Sequence, residues 1–305
     1  MASTRSNFGD LLEPGFREIY DDQFDKLPQV FPQIFNVDTS AKQDEKDSAV
    51  TGFGYFVETS EMENIKYDDP IQMYDVTYVH KKYTKGFKIS EEMYEDDLYR
   101  VMNRKPAQLA VASKRTAEFH AAKVFNDGFT STVTGGDAKP LFSVGHPRID
   151  GGTAQSNASA TGVVLNEDNL NTGLLAIDGQ LDDRGMRIAC EADCLIVPRA
   201  LRKTASILVD SDGRPETADN DKNYYRGINL KVIAWHYLTS DTAWFLADSS
   251  QHLLTWFWRV KPEFKQDMAF DTGAALYKSR MRFSKGWSDW RGIWGSKGDG
   301  SAYAG

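Results

Sequence analysis

Ser143 and His146 stand three apart, and a hydroxyl beside an imidazole is the smallest pairing that makes a nucleophile and its base. The run that holds them, Leu141-Phe142-Ser143-Val144-Gly145-His146-Pro147, lacks the G-x-S-x-G elbow that exposes such a hydroxyl on a strand-to-helix turn. A loop hydroxyl and a ring packed ahead of Pro147 is the better reading. Cys190 and Cys194 have the spacing of a metal pair, but with no histidine cluster beside them they make only half a zinc site. Cys194 runs into Leu195-Ile196-Val197, as a core residue does. The histidines, at 80, 120, 146, 236 and 252, are dispersed without ligand spacing. Trp287, Trp290 and Trp294 would stack on sugar rings in a carbohydrate-binding module, although packing or a subunit contact also buries aromatic anchors. Gly52-Phe53-Gly54 has no third glycine at the dinucleotide spacing, and Gly295 to Gly300 has no following helix to face an anion. No catalytic, cofactor or metal site is therefore expected; a carbohydrate-binding module and, behind it, a serine hydrolase stand as alternatives.

A chain of 305 residues is long enough for two domains of ~150 residues or for one interleaved fold. Its net charge of −8 argues against a protein that neutralises many phosphates, since that affinity comes from excess Lys and Arg. The mean hydropathy is −0.50, and no apolar run approaches the roughly 20 residues that cross a bilayer as a helix. Residues 1–30 carry acids, prolines and scattered aromatics where a secretory signal has a basic start and an apolar block, so the cytoplasm is the expected compartment. Two cysteines cannot build a disulfide framework, which agrees with a reducing environment. The charge is unevenly spread. Residues 1–70 hold 6 basic against 15 acidic groups, a balance of −9, whereas residues 255–305 hold 9 against 5, a balance of +4. Complementary patches of this kind set register and partner choice between surfaces.

The elements follow from pattern. Residues 1–50, interrupted by Pro14, Pro28 and Pro32, read as an extended arm whose aromatic residues need a surface to cover, and removing the arm is expected to leave a soluble fold but to weaken assembly. Gly52–Val57 and Met73–Ile89 read as the two strands of a long hairpin, the second alternating with a period of two. Lys81, Lys82, Lys85 and Lys88 follow Glu58, Glu61 and Glu63, which suits internal pairing or an edge made for another chain. Ser90 is an N-cap candidate for a helix running to Gly128, with Ile89 and Tyr94 as a hydrophobic staple. Tyr94, Leu98, Val101, Met102, Leu109, Ala112, Thr116, Phe119 and His120 fall on one stripe, and Pro106 should kink the helix near Met102. A second helix is expected from Asn166 or Asn169 to Leu181, a buried strand over Cys194–Val197, and a helix over Arg199–Asp210. Strands follow at Ile228–Leu238, Thr242–Ala247 and Leu253–Val260, with β-like runs from Phe264 to Trp294, so the class is mixed α+β.

The order of these parts resembles the major capsid proteins of tailed bacteriophages, with the Hong Kong 97-type fold, and among them the Mu-like major head subunits. Local stretches that carry the resemblance are Leu141-Phe142-Ser143 to His146-Pro147, Leu195-Ile196-Val197-Pro198 to Leu208, and Trp244-Phe245-Leu246-Ala247-Asp248. The resemblance implies an N-terminal arm (1–50), an extended loop (51–89), a peripheral domain with a spine helix (90–164), an inserted axial domain (165–255) and a return to the peripheral domain (256–305). It further implies a non-enzymatic subunit that self-assembles into pentamers and hexamers, closing an icosahedral shell around double-stranded DNA. Copies of itself are the expected partners, with scaffold, portal or decoration proteins as further candidates and no membrane. The expected location is the virion, after assembly in the host cytoplasm. Phe16, Tyr20, Phe24, Phe53, Tyr55, Lys81, Lys82, Tyr83 and Lys85 are expected at subunit interfaces, because an acidic arm and a lysine-rich ribbon would each meet opposite charge on a neighbour.

Overall fold

The computed structural model describes residues 8–70, 72–90, 92–93, 96, 99–213, 222–228, 230–269 and 271–303. The chain starts with α1 (Phe8–Lys26), a 3-10 turn (Phe31–Gln33), β1 (Asn36–Thr39) and β2 (Asp44–Val50), followed by β3 (Gln72–Val79) and β4 (Lys81–Ile89). Two helices come next, α2 (Tyr99–Met102) and α3 (Arg104–Asn126). Then follow α4 (Glu167–Asp178), β5 (Cys194–Val197), α5 (Arg202–Asp210), α6 (Tyr224–Gly227), β6 (Lys231–Ala234) and β7 (Trp244–Ala247). The long strands β8 (Leu254–Met268) and β9 (Ala275–Trp287) and the short β10 (Ile293–Ser296) complete it.

Among the described residues these strands form two four-stranded sheets and the two-stranded β2–β3 ribbon. In the first, ordered β1-β8-β9-β4, β1 runs parallel to β8 and the other neighbours are antiparallel. In the second, ordered β10-β7-β5-β6, β5 and β6 are parallel. Alternation decides which face of the first sheet is covered: Phe87, Ile89, Phe264, Ala275 and Tyr277 join Phe16 and Tyr20 of α1 and Leu109 and Ala110 of α3 in one apolar cluster. A larger cluster joins the two sheets through Phe31, Phe125, Phe142, Ile196, Trp235, Phe245, Trp256 and Phe283. Gly295 permits that junction. A Cβ there would lie 2.8 Å from ring atoms of both Phe142 and Phe245, so only the bare backbone lets β10 sit against them.

Several expectations need correction. The arm expected over residues 1–50 opens, in its described part, with a packed helix and not with extended chain. Phe16, Ile19, Tyr20 and Phe24 have the i, i+3, i+4, i+8 spacing of a helix face, and α1 packs it on α3 and β8 despite Pro14. The run expected over 73–89 breaks at His80, where β3 leaves for the two-stranded β2–β3 ribbon and β4 stays in the first sheet. The partner of β3 is not Gly52–Val57 but the polar Asp44–Val50, since a ribbon open to water needs paired backbone more than apolar alternation. Gly52–Val57 carries no strand. Tyr94 and Leu98, and with them the staple and the start of the stripe, lie outside the described residues, although Ser90 Oγ does accept the Met93 N–H at 3.4 Å.

The long helix is interrupted at Asn103, so α3 is 23 residues long, about 34 Å, and Pro106 sits in its first turn, where the missing N–H leaves no gap in the ladder. Its buried face is also rotated from the expected stripe: Val101 and Phe119 are exposed, while Ser113, Lys114, Ala117, Glu118 and Ala121 are buried. The helix comes close to α1 and β9 through small residues, and the two charged ones go under because backbone groups of the preceding segment receive them. Lys114 Nζ donates to Leu27 O at 2.6 Å with its ammonium 4.4 Å from the Phe24 ring centre. Glu118 accepts three N–H groups, described below.

The later helices and buried strands match the expected positions closely, with Asn166 capping α4 by accepting the Asn169 N–H at 2.8 Å. β6 is shorter than the run expected over 228–238, and β8 extends past Val260 to Met268. The segment 256–305 serves both sheets. β8 and β9 build the first, and β10 pairs with β7 in the second. Among the described residues no helix is long and apolar enough to cross a membrane.

Candidate assembly interface

The residues with chemical potential are built into the core. Ser143 is 1% exposed, and its Oγ accepts the Gly145 N–H at 3.2 Å rather than meeting His146. His146 instead uses Nδ1 on Asp137 Oδ2 at 2.6 Å and Nε2 on Asn157 Oδ1 at 3.1 Å, so neither nitrogen is directed at a serine. Trp290 stacks on the His146 ring at 4.3 Å and Arg291 lies 4.8 Å from the Trp290 ring centre. The Arg291 guanidinium ends the stack on Asp183 at 3.2 Å and Asp289 at 2.8 Å. This column ties the loop of residues 137–147 to the turn after α4 and to the β9–β10 link. Trp287 and Trp294 are buried as well, which removes the tryptophan surface a sugar would need. Cys190 and Cys194 are buried free thiols, pushed up to about 11 and about 12 chiefly by burial, so neither is a ready nucleophile. Among the described residues no group of three or more His, Cys, Asp or Glu side chains is placed to hold a metal.

What the subunit presents to solvent is different in kind. Between β2 and β3 the chain makes an irregular loop, 51–70, on which Phe56 is 103%, Met62 99% and Tyr67 92% exposed. Phe53, Tyr55, Val57 and Ile65 are exposed beside them. Scattered apolar residues are ordinary on a surface, but a contiguous aromatic segment marks a contact awaiting its partner. The loop's base is tied down by Arg184, whose guanidinium holds the Asp68 carboxylate and donates to Asp69 O at 2.6 Å. Asp68 also accepts the Gly54 N–H at 2.8 Å, and that backbone bond and then Arg184 lower its pKa. The tip, from 55 to 67, is left outside this clasp.

The other end of the ribbon is its corner at His80. His80 Nε2 lies 3.1 Å from Ser40 Oγ, which donates to Glu45 Oε1 at 2.6 Å, while His80 Nδ1 is buried without a partner. Burial, then the nearby Arg282, holds this ring below its ordinary pKa. His120 is pushed further, to about 4, by burial and then by Lys285, Lys123 and Lys81. Lys285, whose Nζ donates to His120 O, is itself lowered to about 8 by burial. A histidine lowered in the folded state keeps its stabilising contribution above the unfolded pKa near 6.5 and loses it as pH falls from there toward 4. Wild-type protein is therefore expected to lose Tm over that interval. His120→Phe, which keeps a ring against Tyr83 and Phe283, should flatten part of the fall in a thermal scan run at pH 7, 5.5 and 4. Parallel curves would show that His120 plays no part.

These observations describe a subunit with a structural core and an adhesive periphery. A model of the family described as phage capsid protein matches residues 74–296, well over half of the chain. The chain belongs to the phage capsid protein family. No curated protein matches the sequence. Among solved structures, the bacteriophage JBD30 capsid aligns with a TM-score of 0.56 at 14% identity, over 70% of this chain and 92% of that one. A chain of Mycobacterium phage Adephagia gives 0.52 at 13%, over 89% and 90%, and the virus-like particle from Pyrococcus furiosus gives 0.51 at 9%, over 93% and 98%. The capsid protein thus has the α+β fold of phage shells, and its role is that of a major capsid subunit, as the order of parts in the sequence implies.

Within the capsid protein the residues expected at interfaces separate into three groups. Phe16 and Tyr20 belong to the subunit's own core: Phe16 meets Tyr277 at 5.2 Å, and the Tyr20 hydroxyl lies 3.0 Å from Ser113 Oγ and 2.8 Å from Ser279 Oγ. They were expected to cover a neighbour, and the helical form of α1 turns them inward instead. Phe24 is half-buried under Lys114, and Tyr83 is half-buried, stacked on Phe283 at 4.6 Å. Phe53, Tyr55, Lys81, Lys82 and Lys85 are exposed. Phe56, Met62, Ile65 and Tyr67 are exposed beside Phe53 and Tyr55 and were not singled out in the sequence, because a loop without periodicity gives no face to read. Their density of aromatic and branched residues between two acidic clusters was the available signal.

Proposed function

We propose that this capsid protein assembles with copies of itself into pentamers and hexamers that close an icosahedral shell around double-stranded DNA, in the host cytoplasm, as a structural subunit and not an enzyme. The observation that carries the reading is the loop of residues 51–70, whose aromatic side chains have no cover in their own subunit. Supporting it, the fold is shared with the bacteriophage JBD30 capsid and with the virus-like particle of Pyrococcus furiosus. On this reading residues 1–50 are the arm, 51–89 the extended loop, 90–164 the peripheral domain with α3 as its spine, and 165–255 the axial domain. Residues 256–305 return to the peripheral domain and lend β10 to the axial sheet. A net charge of −8 suits a container that surrounds DNA without gripping its phosphates. Scaffold, portal or decoration proteins would be further partners. Electron microscopy of the purified chain at high concentration is expected to show closed shells or rings, and a strictly monomeric particle under every assembly condition would overturn the proposal.

A further inference from the structure

The charge of α3 is opposite to that of its chain. The helix carries five cations, Arg104, Lys105, Lys114, Arg115 and Lys123, against one acid, Glu118, in a protein of net charge −8. Lys114 and Glu118 are buried and held by backbone groups. The exposed residues Arg104, Gln108, Arg115, Phe119 and Lys123 fall within one arc of about 100° at 3.6 residues per turn, and no carboxylate is among them. α1 meets α3 through Ser113 and Lys114, so its exposed acids Glu18, Asp21, Asp22 and Asp25 lie along another side of the helix.

A second row of cations stands beside this stripe. Alternation along β4 puts Lys81 and Lys85 on the face of Tyr83, Phe87 and Ile89, which α3 covers, and turns Lys82 and Lys88 to the other. Tyr83 and Lys85 form one wall of a groove, and Leu109, Ala112 and Thr116 of α3 form the other. Arg115, 100° round the helix from Thr116, stands on the far flank beside Tyr237. At one end Lys285, Lys123 and Lys81 gather near the His120 ring, and after burial these three are what lower its pKa. Among the described residues one carboxylate, Asp127, offsets them, 3.5 Å from Lys123. Lys81, Lys85 and Arg115 are exposed and have no acidic partner within 4 Å among the described residues. Like charges left together in this way repel one another until an anion from outside neutralises them. The layout says what kind of anion. Arg115 and Lys123 are about 12 Å apart along the helix axis, and the lysines of β4 stand about a helix's width away, so the charges are spread over a ledge and do not converge on one point. Phe119 is the one large apolar residue exposed on α3, which leaves a folded partner little to bury. A continuous phosphate backbone suits both conditions.

We propose that the exposed stripe of α3, with Lys81 and Lys85 of β4, is the surface by which this subunit touches the phosphate backbone of double-stranded DNA, whatever its sequence. This rests on the reading of the chain as a shell subunit around DNA and adds which face of the subunit turns inward. Four cations, Lys81, Lys85, Arg115 and Lys123, make a contact that salt readily dissolves, while the remainder of an acidic subunit repels the DNA it surrounds.

Fluorescence anisotropy of a short labelled DNA duplex, titrated with the purified full chain, tests it. With four phosphates neutralised, the affinity of the wild type should fall about fiftyfold between 50 and 150 mM NaCl, and that of R115Q/K123Q, with two left, about sevenfold. At 50 mM NaCl R115Q/K123Q should bind at least tenfold more weakly than the wild type, with Tm unchanged. R199Q/K203Q removes the same charge from exposed positions at the start of α5 and should bind as the wild type does. No binding by the wild type at 50 mM NaCl, or an equal loss in R199Q/K203Q, overturns the proposal. A polyglutamate peptide that binds as tightly as the duplex would assign the stripe to an acidic protein surface and likewise overturn it. In assembled particles, acetylation read by mass spectrometry should find Lys85 and Lys123 at least fivefold less reactive in DNA-filled shells than in emptied ones. Equal reactivity overturns the inward face while the shell reading stands. A chain that never assembles defeats the shell reading, and the inward face with it, whatever the free subunit binds.

Discussion

Glu118→Ala is expected to destabilise the subunit by about 3 kcal/mol or more, and to lower Tm on the order of 5–10 °C for a chain of this size. Glu118 is 5% exposed and lies in the middle of α3. Its Oε1 accepts the backbone N–H groups of Val30 at 2.6 Å and Phe31 at 3.2 Å, and its Oε2 accepts Trp235 Nε1 at 2.7 Å. Truncation leaves three donors facing a small apolar hole, and each buried donor without a partner costs about 1–3 kcal/mol before water or relaxation offsets it. The loss does not stay local. Those bonds fix the turn that inserts Phe31 against Trp256 at 4.6 Å and starts β1, so the segment joining α1 to the sheet loosens with them. Glu118→Gln should fall between the two, because one amide oxygen still serves one donor set while the NH2 opposes the other. Thermal scans of the three proteins, with trypsin cleavage after exposed Lys26 as a local probe, decide the matter. An alanine variant within 2 °C of wild type would show that this anchor is not what holds the N-terminal segment. The same contacts reverse the expectation that removal of residues 1–50 leaves a soluble fold: Phe16, Tyr20, Phe31, Ile34 and Phe35 are core residues, and their deletion is a deletion from the core.

The second large effect has the opposite signature. Replacing Tyr55–Tyr67 by Gly-Ser-Gly, with Gly54 and Asp68 kept for the clasp on Arg184, should leave Tm within about 2 °C, because exposed residues away from caps and networks shift stability by only about 0.5 kcal/mol. The assembled fraction should nevertheless fall at least tenfold by light scattering. Stability and assembly would thus be separated within one chain, Glu118 acting on the first and the loop on the second. Shells at wild-type yield from the shortened protein would show that the loop is ornamental.

The difference between these two sites mirrors what could be read in advance. Elements with an apolar period or a capping residue were legible: the Asn166 cap of α4, the all-buried Cys194–Val197, and the helix ahead of Asp210. The long helix was legible as a helix but not in its orientation, because Lys114 and Glu118 look like solvent-facing residues until the backbone groups that receive them are in place. Those partners lie 87–88 residues away in sequence, and no local pattern reports them. The same blindness produced the false serine and histidine pair, since proximity in sequence says nothing of the Asp137 and Asn157 that actually occupy both ring nitrogens of His146. Of the expected interface residues, the lysines of β4 are exposed, whereas Phe16 and Tyr20 are buried in their own subunit, because an aromatic residue needs burial but does not say against which chain.

One residue, His80, joins a strand fixed in a sheet to a strand that is free of it. Mechanically this makes β3 a lever with its fulcrum at the corner and its load at the loop. Eight residues of strand are about 26 Å long, so a turn of about 10° at the corner would move the loop by about 5 Å, provided that the Tyr78–Ser288 and Asp68–Arg184 contacts that hold the ribbon were released. A shell whose subunits meet at more than one angle needs that kind of adjustment, and here it would come from the backbone of one position while the cores on both sides stay as they are.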